Sequence, residues 1–223
     1  MIPADGWRPL GRDFFARPAP EVAHDLVGKL LVRTDEGLVA RLVEVEAYME
    51  HDPACHAYGR RTDRVAPLYG PAGHAYVYFS YGMHWCLNTA TGQPGRAEGC
   101  LLRAAEPLAG LELMRARRGG ARDRDLLRGP ARLAQAFGLD GSWSGRDLCE
   151  DPRVPLGYFD DGARPTVVAT PRTGVSVAAD VPWRFVAAGS AWVSPYKRSP
   201  RAPEPGRSGL PDSARAGARC AST

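Results

Sequence analysis

Lysine is almost absent from this chain. Lys29 and Lys197 are the only two among 29 basic residues, so nearly all of the positive charge rests on arginine, whose planar fork suits phosphate. Against 25 acidic residues this leaves a net charge of +4 and a pI near 8.9, a mild lean toward polyanions that many soluble proteins share. Paired cysteines are missing too. Cys55, Cys86, Cys100, Cys149 and Cys220 fall at irregular spacings without a CxxC pair, which indicates neither a disulfide framework nor a zinc ribbon. Neither HExxH nor H-x-E followed by P-C-x-x-C occurs, so the metalloprotease and zinc-deaminase signatures are excluded and no metal is expected. No stretch approaches the roughly 18 uninterrupted apolar residues of a membrane span. Met1-Ile2-Pro3-Ala4-Asp5 also lacks the charged start and apolar run of a secretory signal. A reducing, cytoplasmic setting without a membrane partner is the expectation, and no internal repeat is visible.

What is present suits one core: 223 residues, 44% of them hydrophobic, lie close to the size of a single domain. The second half of 13–28 reads as a helix, with Pro20 in its first turn and Val22, Leu26 and Val27 at helical spacing. Strands are expected at 30–33 and 38–48. In the second of these, Val43, Val45 and Ala47 alternate with Glu44, Glu46 and Tyr48, which puts an acid and an aromatic on one face. After an irregular stretch at 49–74, strands are expected at 75–79, 84–90 and 100–104, helices at 108–117 and 130–138, and short strands near 166–169 and 183–187. The pattern predicts an α+β domain on a largely antiparallel sheet over 1–198. A disordered basic tail is expected at 199–223, where proline, arginine, serine, alanine and glycine leave little apolar material for a core.

Three groups of residues could carry chemistry. Glu46 lies two strand positions from Tyr48, so a carboxylate and an aromatic share one side, and the carboxylate could activate water beside a stacked ring. An ordinary solvent-facing strand carboxylate fits the same spacing. Tyr76, Tyr78, Phe79, Tyr81 and Trp85, interleaved with Asn88 and followed by Arg103, would suit a nucleobase pocket, since bases stack on aromatic faces, and would equally suit a plain core. His51 and His56 flank Cys55, and His84 precedes Cys86 by two; His56 is read as a neutral hydrogen-bonding imidazole near Glu46. An amine nucleophile, which would form a Schiff base, is not among them, since neither lysine lies in any of these groups.

Taken in order, these features resemble the alkyladenine (3-methyladenine) DNA glycosylase family over roughly residues 12–196. The resemblance rests on Val43-Glu44-Val45-Glu46-Ala47-Tyr48, on His56, on the run from Tyr76 through Gly82-Met83-His84-Trp85 to Asn88, and on Leu101-Leu102-Arg103-Ala104-Ala105-Glu106-Pro107. Gly129-Pro130-Ala131-Arg132-Leu133 and Gly189-Ser190-Ala191-Trp192-Val193-Ser194 add two islands. It implies a single domain around a curved sheet flanked by helices, acting as a monomer on double-stranded DNA that contains damaged purines, without a cofactor. Glu46 matches the general base that deprotonates a water, which Arg103 and the main chain of His56 help to hold. Tyr48, His56 and Tyr78 match the residues that sandwich the flipped base, and Asn88 the side chain that excludes guanine. Tyr81 matches the wedge that fills the gap in the duplex, with Met83, Arg61 and Thr62 as further DNA contacts. Val65 departs from the family's usual asparagine in the basic loop. The implied reaction is monofunctional hydrolysis of the glycosidic bond of 3-methyladenine or 7-methylguanine, with ethenoadenine and hypoxanthine as further candidates. A catalytically silent lesion binder and a nucleosidase acting on free nucleosides are the competing readings. The intact Glu46 speaks against the first, and Tyr81, which needs a duplex gap to fill, against the second.

Overall fold

The computed structural model describes residues 5–80 and 82–206. The remaining wedge candidate Tyr81, and 207–223 of the expected tail, lie outside them. In chain order the elements are β1 (Arg8–Pro9), α1 (Arg12–Phe15), α2 (Ala19–Leu26), β2 (Leu30–Arg33), β3 (Leu38–Met49), a 3-10 helix (Asp63–Tyr69), β4 (Ala75–Ser80), β5 (His84–Ala90) and β6 (Glu98–Ala109). Then follow α3 (Leu111–Arg117), α4 (Pro130–Ala136), β7 (Leu156–Asp160), β8 (Val167–Thr170) and β9 (Arg184–Ala187), with short 3-10 turns at Asp123–Asp125 and Gly141–Trp143.

One antiparallel sheet runs β1-β7-β2-β3-β6-β5-β4, and β9 joins it beside β3 with β8 on its outer edge. The α+β expectation is met. The strand β3 organises the molecule because its two halves have different neighbours. Residues 38–41 pair with β2, 44–46 pair with β9, and β6 runs along nearly the whole opposite edge. Register shifts around Glu44 mark β-bulges in the β3–β6 ladder, the kind of irregularity that re-aims side chains.

The expected alternation along β3 holds, but both of its faces are covered: residues 42–47 are all buried. Val43, Val45 and Ala47 face a large apolar core with Leu87, Leu102 and Ala104, closed by α2 and α4. Pro20 lies in the first turn of α2, Ala19, Val22, Ala23 and Leu26 form its buried stripe, and the Glu98 carboxylate accepts the Ala19 N–H at 3.0 Å. Full burial of a side chain such as Val22 or Leu26 is worth about 1.5–3 kcal/mol. The opposite face carries Glu44, Glu46 and Tyr48. Over it lie the 3-10 helix, with Leu68 and Tyr69, and the segment 171–182.

Three expectations need adjusting. The strand read as 100–104 is the middle of a twelve-residue β6. The helix read from 108 begins only at Leu111, because Pro107 and Ala109 still pair with Ala40 and Val39 before Gly110 turns the chain at φ +77°. The strand β7 was not foreseen, and it joins β1 to β2. Of the segment 199–206, Gly206 donates its N–H to Asp180 at 3.0 Å, and just before it Arg198 makes an ion pair with Asp180 at 2.7 Å.

Candidate active site

Glu46 is wholly buried and, among the described residues, is bound from its own strand, from β6 and from the segment between β8 and β9. Its Oε2 accepts the Tyr48 hydroxyl at 2.8 Å and Arg103 Nη1 at 3.3 Å, and its Oε1 accepts the Thr173 N–H at 2.7 Å. The solvent-facing reading of this carboxylate is thereby overturned. Pairing on both edges of β3, with Leu101 and with Arg184, fixes the backbone beneath it. Arg103 also donates from Nε to Glu44 Oε1 at 2.7 Å. Burial works against charge on Arg103, but Glu46 and Glu44 outweigh it and raise its pKa. Glu44 in turn accepts Arg184 Nε at 2.7 Å and the Ser194 N–H and hydroxyl at 2.7 and 2.9 Å. Burial again opposes ionisation, and Arg103 and Arg184 overcome it, holding the Glu44 carboxyl below its usual range. A buried charge survives only with such partners.

In front of this network lies a cavity of about 660 Å³, lined among others by Tyr48, His56, Tyr78, Asn88, Arg103 and Thr173. Glu46 stands behind its wall, reached through Tyr48, Arg103 and Thr173. Burial, and then the charge of Glu46, push the Tyr48 phenol well above its usual pKa, so it stays a donor. In the same lining, His56 and Tyr78 meet edge to face with centroids 4.6 Å apart, and Tyr76 lies 5.5 Å from Tyr78. His56 keeps solvent access through the cavity mouth, and its Nδ1 lies 3.0 Å from the Tyr76 hydroxyl. Partial desolvation, with Arg64 and Arg60 nearby, pushes its pKa below the ordinary 6.5. Asn88 is held by its Nδ2 donating to the Tyr76 carbonyl at 3.2 Å. Cys55 and Cys86 also line the space. Burial lifts the Cys55 thiol to about 11 and raises that of Cys86, so neither supplies a thiolate nucleophile at neutral pH.

The structure therefore gathers Glu46, Arg103, Tyr48, His56, Tyr78 and Asn88 around one space. The expected DNA contacts lie apart from it. Met83 is 67% exposed at the turn between β4 and β5, Arg61 packs 4.5 Å over the Tyr69 ring, and exposed Thr62 precedes the 3-10 helix. Sequence reasoning missed Thr173, which binds Glu46 from 127 residues away, and the buried pair of Asp52 with Arg172, whose guanidinium stands 4.6 Å over the Tyr48 ring. No local pattern announces contacts of that range. Ser194 did have a signal, since it ends the island 189–194.

A buried carboxylate thus stands behind the wall of an aromatic-lined cavity. The profile of methylpurine-DNA glycosylases matches residues 13–191 of the chain. A provisionally named 3-methyladenine DNA glycosylase of Burkholderia lata is 48% identical over 198 residues, covering 86% of this chain and 95% of that protein. Proteins of the same provisional name from Carboxydothermus hydrogenoformans and Streptomyces avermitilis are 43% and 48% identical, covering 83% and 88% of this chain and 98% and 96% of theirs. The chain belongs to the methylpurine-DNA glycosylase family, and is a hydrolase of DNA repair.

Proposed function

We propose that the chain excises N-alkylated purines, 3-methyladenine and 7-methylguanine foremost, by flipping them from duplex DNA into the aromatic cavity and hydrolysing the glycosidic bond with a water activated by Glu46. The observation that carries this reading is the bonding of Glu46. Each carboxylate oxygen offers two acceptor sites. Tyr48 and Arg103 fill both on Oε2, whereas Thr173 fills one on Oε1. Oε1, held by the Thr173 N–H, is the oxygen assigned to the attacking water. The fixed carboxylate would also stabilise the oxocarbenium character that develops on the sugar.

Selection follows from charge and stacking. Methylation at N3 or N7 makes the purine a cation, which leaves readily and is drawn to aromatic faces such as Tyr48 and Tyr78. Extrusion costs a few kcal/mol and least for a damaged base, and stacking returns about 1–3 kcal/mol. Neither lysine lines the cavity, and Lys29 is paired with Asp160 at 3.0 Å, which supports hydrolysis without strand cleavage. The hairpin tip carrying Met83 is the face offered to the duplex.

The test is a labelled duplex with a single 3-methyladenine or 1,N6-ethenoadenine, incubated with enzyme in excess and then treated with hot alkali to reveal abasic sites. Release from at least one lesion is expected, with no scission before alkali. No release from either overturns the reading.

A further inference from the structure

Tyr48 has two faces, and the protein occupies one of them with an ion pair. Arg172 stands over the ring at 4.6 Å and over Trp183 at 5.5 Å, is 1% exposed and does not line the cavity. It therefore sits on the side of the ring away from the cavity. Arg172 donates Nη1 to the Ala47 carbonyl at 3.0 Å, and its two terminal nitrogens bind the two oxygens of Asp52, which is fully buried. Asp52 Oδ1 additionally accepts the Ala54 N–H at 3.0 Å, at the start of the turn leading to His56.

A lone guanidinium behind an aromatic wall would oppose a cationic ligand in front of it. The ring would be polarised toward the rear cation, and the two positive charges would stand about 9 Å apart if the base stacks at an ordinary aromatic separation. In a protein environment of effective dielectric about 20, a charge at that range is worth about 1.8 kcal/mol and changes a binding constant by roughly twentyfold. Asp52 cancels most of this field while leaving the guanidinium in place as a flat support for the ring.

We propose that Asp52 and Arg172 are specificity-determining residues: together they form a charge-compensated backing for Tyr48 that lets the wall accept a cationic base, and the balance between them sets the preference for cationic over neutral bases. This rests on the proposal that the cavity takes a flipped alkylated purine, and on Tyr48 as one of its walls.

The test measures binding to two duplexes of matched shape and different charge. One carries 2′-fluoro-7-methylguanine, a cation whose glycosidic bond resists cleavage, and the other 7-methyl-7-deazaguanine, its neutral counterpart. The readout is the ratio of the two affinities, in which a general loss of structure cancels. Asp52→Asn keeps the Oδ1 acceptor for Ala54 but uncovers the arginine charge, and the cation-to-neutral ratio should fall by roughly five- to tenfold. Arg172→Gln uncovers the aspartate, and the ratio should rise by a similar factor. The double variant should return close to the wild-type ratio. If one single variant does not fold, the other and the double variant still decide the sign. A ratio unchanged in the folded variants, or moved the same way by both single changes, overturns the proposal alone. If the wild-type protein prefers neither duplex over undamaged DNA, the base-binding reading itself falls.

Discussion

At the residue scale the proposed chemistry rests on Glu46 and its three hydrogen-bond donors. General-base catalysis contributes typically about 10²–10⁴-fold, so Glu46→Gln should lower single-turnover excision by that order while lesion binding persists. Wild-type cleavage by this variant would remove Glu46 from the mechanism. His56 gives a prediction in pH. Its pKa in the folded protein lies below 6.5, so above that value both states are neutral and it contributes nothing to stability. As the pH falls below 6.5 the unfolded chain takes up the proton first, and stability is lost until the pH passes the folded value. Urea unfolding at pH 8 and pH 5.5 should show a smaller acid loss in His56→Gln than in the wild type; equal losses would contradict the assignment. The residues around the cavity were largely legible in the sequence, because Glu46 and Tyr48 share one strand face and the aromatic run sits in one hairpin. Thr173, Asp52 and Arg172 were not, since a backbone N–H and a buried ion pair reach the site across more than a hundred residues.

At the scale of elements, alternation found β3 and strand-forming composition around a turn found β4 and β5 almost to the residue, whereas boundaries failed where tertiary pairing outran local preference. Strand β6 continues through Pro107, next to a register shift, and into Ala109. The four-residue pairing of β7 with β2, starting at Leu156↔Arg33, needs a partner that no local window contains. Gly110 is what ends β6. It has φ +77°, and a Cβ there would lie 2.4 Å from Leu38 Cδ2 and 3.0 Å from the Gly37 carbonyl oxygen. Gly110→Ala should therefore cost about 2–4 kcal/mol by denaturant unfolding, from backbone strain and crowding together. Gly145→Ala, at φ +85° with nothing within 4 Å of the added carbon, should show only the smaller strain component. Equal costs would mean that crowding at Gly110 is relieved elsewhere.

At the scale of the molecule, the net charge of +4 says less about DNA than its distribution does. Most arginines near the sheet are spent on internal ion pairs, as with Arg41 and Asp161, Arg117 and Glu36, or Arg172 and Asp52. Arg64 lines the cavity, Arg60 lines the adjoining groove and Arg61 follows it in the chain; all three are exposed and belong to no ion pair among the described residues. Each phosphate contact adds about 0.9 to the slope of log K against log salt. Replacing all three with glutamine should lower that slope by roughly 2–3, equally for damaged and undamaged duplex, as fluorescence anisotropy across a salt series would show. An unchanged slope would place the phosphate contacts elsewhere.

The Glu44 cluster has a consequence on an evolutionary timescale. Its carboxylate joins β3 to Arg103 of β6, Arg184 of β9 and Ser194 beyond it. Replacing any one charged member strands another in a dry interior, which costs several kcal/mol. A lineage starting from this sequence can therefore leave the arrangement only through paired changes, because each single step is a loss. The cluster acts as a ratchet on descent, and it holds in place the arginine that also grips Glu46.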